Sequence, residues 1–444
     1  MSYARPMQTK HALKVLAGVC TGLLAGCGSD FTAADEPDGG SETGDVDVPN
    51  PTGVSAGWDD DETTDGEGSG GVGGCGDEPA CSGATPFCVD AACVGCDALE
   101  NPDEACAATD PDAPVCSPEG CVQCSAIDDS LCSDNTPVCS DDGQCRGCTA
   151  HDECETACDF ESGWCFDEAV VVGEDGVATA GALSAAIEGV PGGGRIAIRW
   201  TPGDQCILDT LTIAEGRSVA LLGEPGARPC MTSWDDRAAI TVTEGSSLYL
   251  LDVRIEESYG TAVEVRGASV YADRVELVNN SGGAVSISQD AYLNLRNAMV
   301  GGDRNNVSVL RTHTSTLDVA YSSIVAGFGD AQGIVCDGDN AVSVRNSIVL
   351  SEGSIGEIDC PQADVSYSAL EAVFGEGNVA VGAVETGRWF EDYPAGDLHL
   401  RYDTLGMPFE DVAQWVQGDP LVDLDGDPRP GIAHASDWAG ADIP

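Results

Sequence analysis

With 76 acidic side chains against 19 basic ones in 444 residues, the chain carries a net charge of −57 at pH 7. A surface of that sign repels nucleic acid and anionic lipid headgroups, which excludes electrostatic binding to either, and it draws divalent cations only diffusely. Its 22 cysteines need an oxidising compartment if they are to pair.

The chain opens with Arg5, Lys10 and Lys14, followed by the apolar run VLAGVCTGLL. About ten residues is too short to span a bilayer and matches the core of a signal peptide. The run ends in Leu24-Ala25-Gly26-Cys27, which resembles the bacterial lipobox. Small residues there admit the peptidase, and the Cys27 thiol takes the lipid. The resemblance implies a signal peptide over 1–26 and a mature chain beginning at a lipidated Cys27. The membrane is then a partner through acyl chains, each buried methylene contributing roughly 0.8 kcal/mol. A plain secretory signal is the alternative. Gly28 stands where an Asp would mark inner-membrane retention, so the expected location is the outer membrane, lipid-anchored and displayed at the cell surface. Cleavage removes three bases and no acid, leaving 76 acids against 16 bases and no lysine. Residues 27–74 then form an acidic tether, DDDETTDGEGSGGVGG among them, with too little apolar surface to offset chain entropy. Such a linker reaches about 40 Å root-mean-square.

Residues 75–168 carry sixteen cysteines in four groups of four. They are Cys75, Cys81, Cys88 and Cys93; Cys96, Cys106, Cys116 and Cys121; Cys124, Cys132, Cys139 and Cys145; and Cys148, Cys154, Cys158 and Cys165. Pro86, Pro114 and Pro137 each stand two before the third Cys of their group, which fixes the register of the repeat. The Cys-x-x-Cys pairs 93/96, 121/124 and 145/148 therefore fall at seams between repeats. Units of about 25 residues with almost no aliphatic core need covalent staples, and two disulfides per unit use all sixteen thiols. Zinc binding and thioredoxin-type redox chemistry are the alternatives; no pair recurs at finger spacing, His151 is alone, and βαβ context is missing. Within a unit three connectivities stay open.

From residue 169 to 444 β-branched residues replace cysteines. GALSAAIEGVPGGG reads as a short helix with Leu183, Ala186 and Ile187 on one face, suited to capping the raw end of a sheet. The phrases LLDVRIEES, YADRVELVN, LNLRNAMVGG, DVAYSSIVAG and SVRNSIVLS each join a short strand, a polar corner and a second strand. Their corners, Asp252, Asp273, Asn297, Ser322 and Asn346, recur every 21 to 25 residues, and AVEV, AVSI, VSVL and GIVC supply a third strand between them. Three strands per period describe a parallel β-solenoid, in which each coil adds one strand spacing of about 4.8 Å; a β-sandwich is the alternative. Cys206 to Cys230 and Cys336 to Cys360 both span 24 residues, one coil each, so each pair is placed to bridge neighbouring coils near an end. The expected fold class is all-β: a parallel β-helix after a disulfide-rich, secondary-structure-poor region.

This pattern resembles the right-handed parallel β-helix family, and DLHL (397–400), GDPLVDLDGDPRPG (418–431) and DWAGADIP (437–444) resemble the ending of its choice-of-anchor members. The cysteine array is similar to those preceding such domains in exported lipoproteins of myxobacteria-like Gram-negative bacteria. The family includes pectate lyases and polygalacturonases, which makes a polysaccharide lyase or glycoside hydrolase the alternative to a non-enzymatic binding, adhesion or structural role. Lyases use Asp/Glu-held calcium and a basic residue; here Arg254, Asp252, Asp273 and Arg274 are placed to line one face, with Asp303, Arg304 and Arg311 near the next coils. A polar ladder between turns is the plainer reading of those corners. His313 reads as a turn residue, and His399 and His434 as solvated, so no catalytic residue is assigned. DLDGD places Asp423, Asp425 and Asp427 as candidate calcium ligands, without the Glu that closes such a loop. A structural C-terminal strap, with Arg429 paired to one of those aspartates, is the competing reading; calcium is the one cofactor in view. The expected ligand is a polysaccharide or cell-surface group along the solenoid flank, and the oligomeric state is not encoded. Replacing Cys27→Ala should move the protein from the membrane to the soluble fraction on cell lysis; unchanged fractionation would refute lipidation there.

Overall fold

A computed structural model describes residues 81–444 except 90–91, 126–131, 134–135, 174–178, 190–195, 201–205, 225, 303–306, 328, 353–355, 373, 383–385 and 402–407. Cys27, the tether, Cys75, Asp303 and Arg304 lie outside the described residues.

Residues 207–370 wind into a parallel β-solenoid of about six turns. Three parallel sheets run its length. The long-strand sheet stacks Ser247–Leu251 on Ser269–Asp273, then Tyr292–Arg296, Thr316–Ala320 and Ala341–Arg345. A short-strand sheet contains Arg254–Glu256, Glu276–Val278, Met299–Gly301, Ser323–Ala326 and Ile348–Ser351, and a third contains Ile240–Thr243, Val263–Arg266, Val285–Ser288, Leu310–His313 and Ile334–Asp337. Period-2 alternation turns one set of side chains inward. In the long-strand sheet these are the files Leu248–Val270–Leu293–Leu317 and Leu250–Ala272–Leu295–Val319, all buried in one continuous core. His313 is the last residue of a strand, not a turn residue; the turn begins at Thr314, with φ 47°.

The corner after the long strands needs one residue in the left-handed region. Asp252, Arg274, Asn297, Tyr321, Asn346 and Tyr367 fill it, with φ between 45° and 55°. Two of the expected corner residues are therefore one position out: Asp273 ends its strand, and Ser322 follows the corner. Arg274 and Tyr321 misled the pattern because neither favours this backbone, which costs non-glycine residues roughly 1–2 kcal/mol. Polar groups then close the turns between coils. The backbone N–H of Ser322 donates to Ser347 Oγ at 3.1 Å, that of Ser347 to Ser368 Oγ at 3.1 Å, and that of Ser368 to Asn378 Oδ1 at 2.8 Å.

Both ends are closed. The helix Ala182–Glu188 buries Leu183 and Ile187 on the first coils, and Asp209 accepts the Ser184 N–H at its start. Cys206 is bonded to Cys230 with Cα atoms 4.4 Å apart, and Cys336 to Cys360 at 4.9 Å. Beyond the coils, the chain turns back over the short-strand sheet. Trp389, Phe390, Tyr393, Leu398 and Phe409 cover Val278, Met299, Val325 and Leu350. Strands covered on both faces need no alternation, which is why SIVA and IVLS are buried at every position. Arg429 anchors this strap, fully buried, with Nη1 3.1 Å from Asp437 and its guanidinium 4.0 Å over the Tyr321 ring. Its partner is Asp437 and not one of Asp423, Asp425 or Asp427: Asp423 caps backbone N–H groups, Asp425 pairs with Arg228 and His399, and Asp427 is exposed.

The Cys-rich region is a chain of hairpins. Its bonds are Cys81–Cys93; Cys96–Cys116 and Cys106–Cys121; Cys124–Cys139 and Cys132–Cys145; Cys148–Cys158 and Cys154–Cys165. Cys88 is also disulfide-bonded. The three complete groups join first to third and second to fourth. Third and fourth cysteines face each other across a hairpin, as Cys116 does Cys121 and Cys158 does Cys165, yet each bonds back to an earlier loop. Each seam pair, such as Cys145 and Cys148, is two ends of separate disulfides. A helix, Pro102–Thr109, precedes the hairpin of the second unit.

A loop of 24 residues closed by a disulfide is worth roughly 3 kcal/mol. The Cys336→Ser/Cys360→Ser variant should therefore exchange amide hydrogens faster in Ile334–Asp337 and Ile358–Asp359 while the central coils keep their protection. Equal loss of protection along the whole solenoid would show that the bridge does not guard an end.

Candidate functional site

The outward positions of the long-strand sheet form a groove. Alternation points Tyr249, Tyr271, Asn294, Asp318 and Ser343 away from the core along one file, and Leu251, Asp273, Arg296, Ala320 and Arg345 along the next. The fourth Cys-rich unit closes one end. Its Ala157 and Phe166 pack with Ala220, Leu222 and Tyr249 in a small core, and Phe160 joins at the edge. The Tyr249 hydroxyl donates to Asp159 Oδ1 at 2.6 Å; both residues are buried, and burial raises the Tyr249 pKa. Losing either partner would leave a buried polar group unpaired, at a cost of about 1–3 kcal/mol.

Past this contact lies a recess of about 620 Å³, walled by His151, Asp152, Phe160, Tyr271, Asp273 and Arg274. It continues into a second space of about 270 Å³ beside Asp318, Ser343 and Arg345, and the two share Asn294, Arg296 and Gly418. Phe160 and Tyr271 line the larger recess; the buried Tyr249 stacks on Tyr271 with centroids 5.1 Å apart, and Tyr271 meets Tyr292 edge-on at 5.5 Å. Burial pushes the Tyr271 hydroxyl up to about 12. Tyr292 donates to Asp318 Oδ2 at 2.9 Å.

The charges differ in how tightly they are held. Arg274 grips Asp252 with two bonds of 2.9 and 2.8 Å, and Asp273 accepts from Asn297 Nδ2 at 3.1 Å. Arg345 pairs with the buried Asp419 of the strap. Arg296 makes a 3.3 Å bond to the Gly418 carbonyl and pairs with no carboxylate among the described residues. In so acidic a chain that leaves the Arg296 charge open to a ligand in the recess.

Asp252, Asp273 and Arg274 thus come together as expected for one face. Arg254 does not join them: it lies on the short-strand sheet, paired with Glu256 and Glu276. Arg311 donates to the Gly282 carbonyl at 3.0 Å, His313 sits 3.2 Å from Asp337, and His434 is exposed beside Gln414. Asp423 Oδ1 accepts the backbone N–H groups of Asp425, Gly426 and Asp427, and Oδ2 accepts that of Ile443. Asp425 faces Arg228 and His399 instead. His399, Asp425 and Asp442 gather ligand-type atoms within 4.8 Å of one another. Burial alone would lower the His399 pKa, but its bonds to Asp397 and Asp425 outweigh that and hold it up at about 10. The same His399 bond, with Arg228, keeps Asp425 down at about 2, whereas burial pushes Asp442 up to about 6. This network ties the strap to the coils through Arg228 and Glu276.

The tyrosine row Tyr249–Tyr271–Tyr292 and the part played by Asp159 and Phe160 were not foreseen. Tyr249 and Tyr271 recur 22 residues apart, one coil, and that interval was available as a signal; the docking of the fourth unit had none.

A family described as "Family of unknown function (DUF8331)" matches residues 59–171. No curated protein and no solved structure matches the chain.

A His399 pKa raised above its unfolded value adds stability that is fully present below about pH 6.5 and lost as pH rises through about 10. Denaturant midpoints should fall across that window in the native protein, and His399→Gln should flatten the fall. An unchanged slope would remove His399 from the latch.

Proposed function

We propose that the chain is an exported, lipid-tethered module of the cell envelope that binds an extended, hydroxyl-rich ligand, of the polysaccharide class, in the groove of its long-strand sheet. One observation carries this reading: the two spaces of about 620 and 270 Å³ join into a trough lined by Phe160, Tyr271 and His151 in its larger part and by amide, carboxylate and guanidinium groups along its length. Sugar rings offer C–H faces to aromatic side chains and hydroxyls to polar ones, so this mixture suits them. A trough several coils long, each coil about 4.8 Å, suits a chain more than a single small molecule. The lipobox, acidic tether and disulfide array supply the export and anchoring half of the proposal.

A lyase or hydrolase is the second reading, favoured by acids and bases meeting in one trough. Asp273 and Asp318 stand two coils apart, about 10 Å along the axis. Retaining glycoside hydrolysis needs carboxyls about 5–5.5 Å apart and inverting hydrolysis about 6.5–9.5 Å, so this spacing is far from the first and just beyond the second. Arg274, the candidate base, is committed to Asp252. Binding is therefore the better account. The mature protein applied to an oligosaccharide array should retain extended glycans, and Asn294→Ala/Arg296→Ala should weaken that retention by about tenfold, the loss of one charged hydrogen bond. Shortened or unsaturated products in the mass spectrum would replace binding with catalysis, and an empty array would remove the glycan reading.

A further inference from the structure

On the corner between the short-strand and third sheets, two aromatic rings stand in solvent. Trp234 is 68 % exposed and Tyr259 58 % exposed. They belong to consecutive coils and to equivalent places in them. The Tyr259 N–H donates to the Ser233 carbonyl at 3.0 Å, so each ring follows a residue of the same stacked file. That file is Ser233, Ser258 and Asn280: the Ser233 N–H donates to Ser258 Oγ at 3.1 Å, and the Ser258 N–H to Asn280 Oδ1 at 3.0 Å. All three are buried. The ladder fixes the backbone from which both rings project, so the exposure belongs to a rigid corner and not to a loose loop.

We propose that Trp234 and Tyr259 form an aromatic platform that stacks against the sugar rings of a neutral glycan, separate from the trough and independent of it. Size decides the class of ligand. Two such side chains offer roughly 150–250 Å² each, well short of the roughly 800 Å² per partner that a stable protein interface needs. One coil spacing, about 4.8 Å, separates the rungs that carry the rings, a step on the scale of one pyranose. The same turn holds an Asp235–Arg237 ion pair, and Arg311 and Thr261 lie on the following coils, giving polar partners for hydroxyls at the rim. Burial of ring faces, not charge, would drive binding, so the −57 field of the chain does not oppose a neutral ligand.

The test uses the mature full chain with cellohexaose and chitohexaose as soluble probes and an array of neutral oligosaccharides. Trp234→Ala and Tyr259→Ala should each weaken binding of the retained glycan by about tenfold. Trp234→Phe should keep most of it, and raising salt should change little. Both positions are exposed, so the variants should keep the native circular dichroism and disulfide count. Native affinity in the Trp234→Ala/Tyr259→Ala double variant would overturn the platform, even if the trough variant loses binding. So would the absence of binding to every neutral probe. Concentration-dependent self-association abolished by Trp234→Ala would instead assign the corner to a second copy of the chain.

Discussion

Backbone pairing between coils is the constraint on which the rest depends. Each strand of one coil satisfies its N–H and C=O groups on the coils above and below, so every residue sits over its counterpart at about 4.8 Å. Once that register is set, chemistry repeats in files. Leucine stacks on valine inside, serine hydroxyls accept the N–H of the previous turn at the corners, and Cys206 meets Cys230 at a Cα separation of 4.4 Å. The same stacking makes rows of outward side chains, and a groove on this protein is a set of adjacent rows.

A solenoid built this way leaves three kinds of unfinished surface, and this sequence treats each differently. The first end lacks a neighbour and receives the helix Ala182–Glu188 and a disulfide; the other receives Cys336–Cys360. The outer face of the short-strand sheet is apolar and takes the strap. The strap holds by Arg429, whose buried guanidinium meets Asp437, the Gly440 carbonyl and the Tyr321 ring together. The upper part of the long-strand sheet is covered by the fourth Cys-rich unit. What is left open is the trough beside Arg296.

How much of this was legible follows from the same distinction between local and stacked information. The coil period could be read because Val, Ile and Leu return at one spacing, and the two 24-residue cysteine intervals obey it. The corner file could be read only in part: Asp252, Asn297 and Asn346 announce a left-handed residue, whereas Arg274 and Tyr321 hold that conformation against their own preference because Asp252 and Arg429 secure them. Cysteine grouping was written in the prolines before each third Cys, but the choice of first-to-third bonding depends on how each hairpin folds back on its loop. The partners of Arg429, His399 and Asp425 were beyond local reading, since they lie on segments whose docking is set by shape. The trough shares that limit: Asp273, Arg274 and Arg296 were visible as charges, but only packing shows which of them are already spent on neighbours.

The composition of the chain changes sharply near residue 168, yet the packing does not break there. Ala157 and Phe166 from the cysteine-rich side and Ala220, Leu222 and Tyr249 from the solenoid side share one core, and the Tyr249–Asp159 hydrogen bond is sealed inside it. Without the fourth unit the solenoid would present that apolar patch to water and leave the Tyr249 hydroxyl without Asp159. The unit also brings His151, Asp152 and Phe160 to the wall of the larger recess. Disulfides therefore shape the recess as well as staple the unit in this part of the chain. Cys148–Cys158 and Cys154–Cys165 hold the loops that carry His151 and Phe160, in a unit too small to fix them by burial alone. The covalent staples and the stacked coils meet at the same place, and the recess is formed between them.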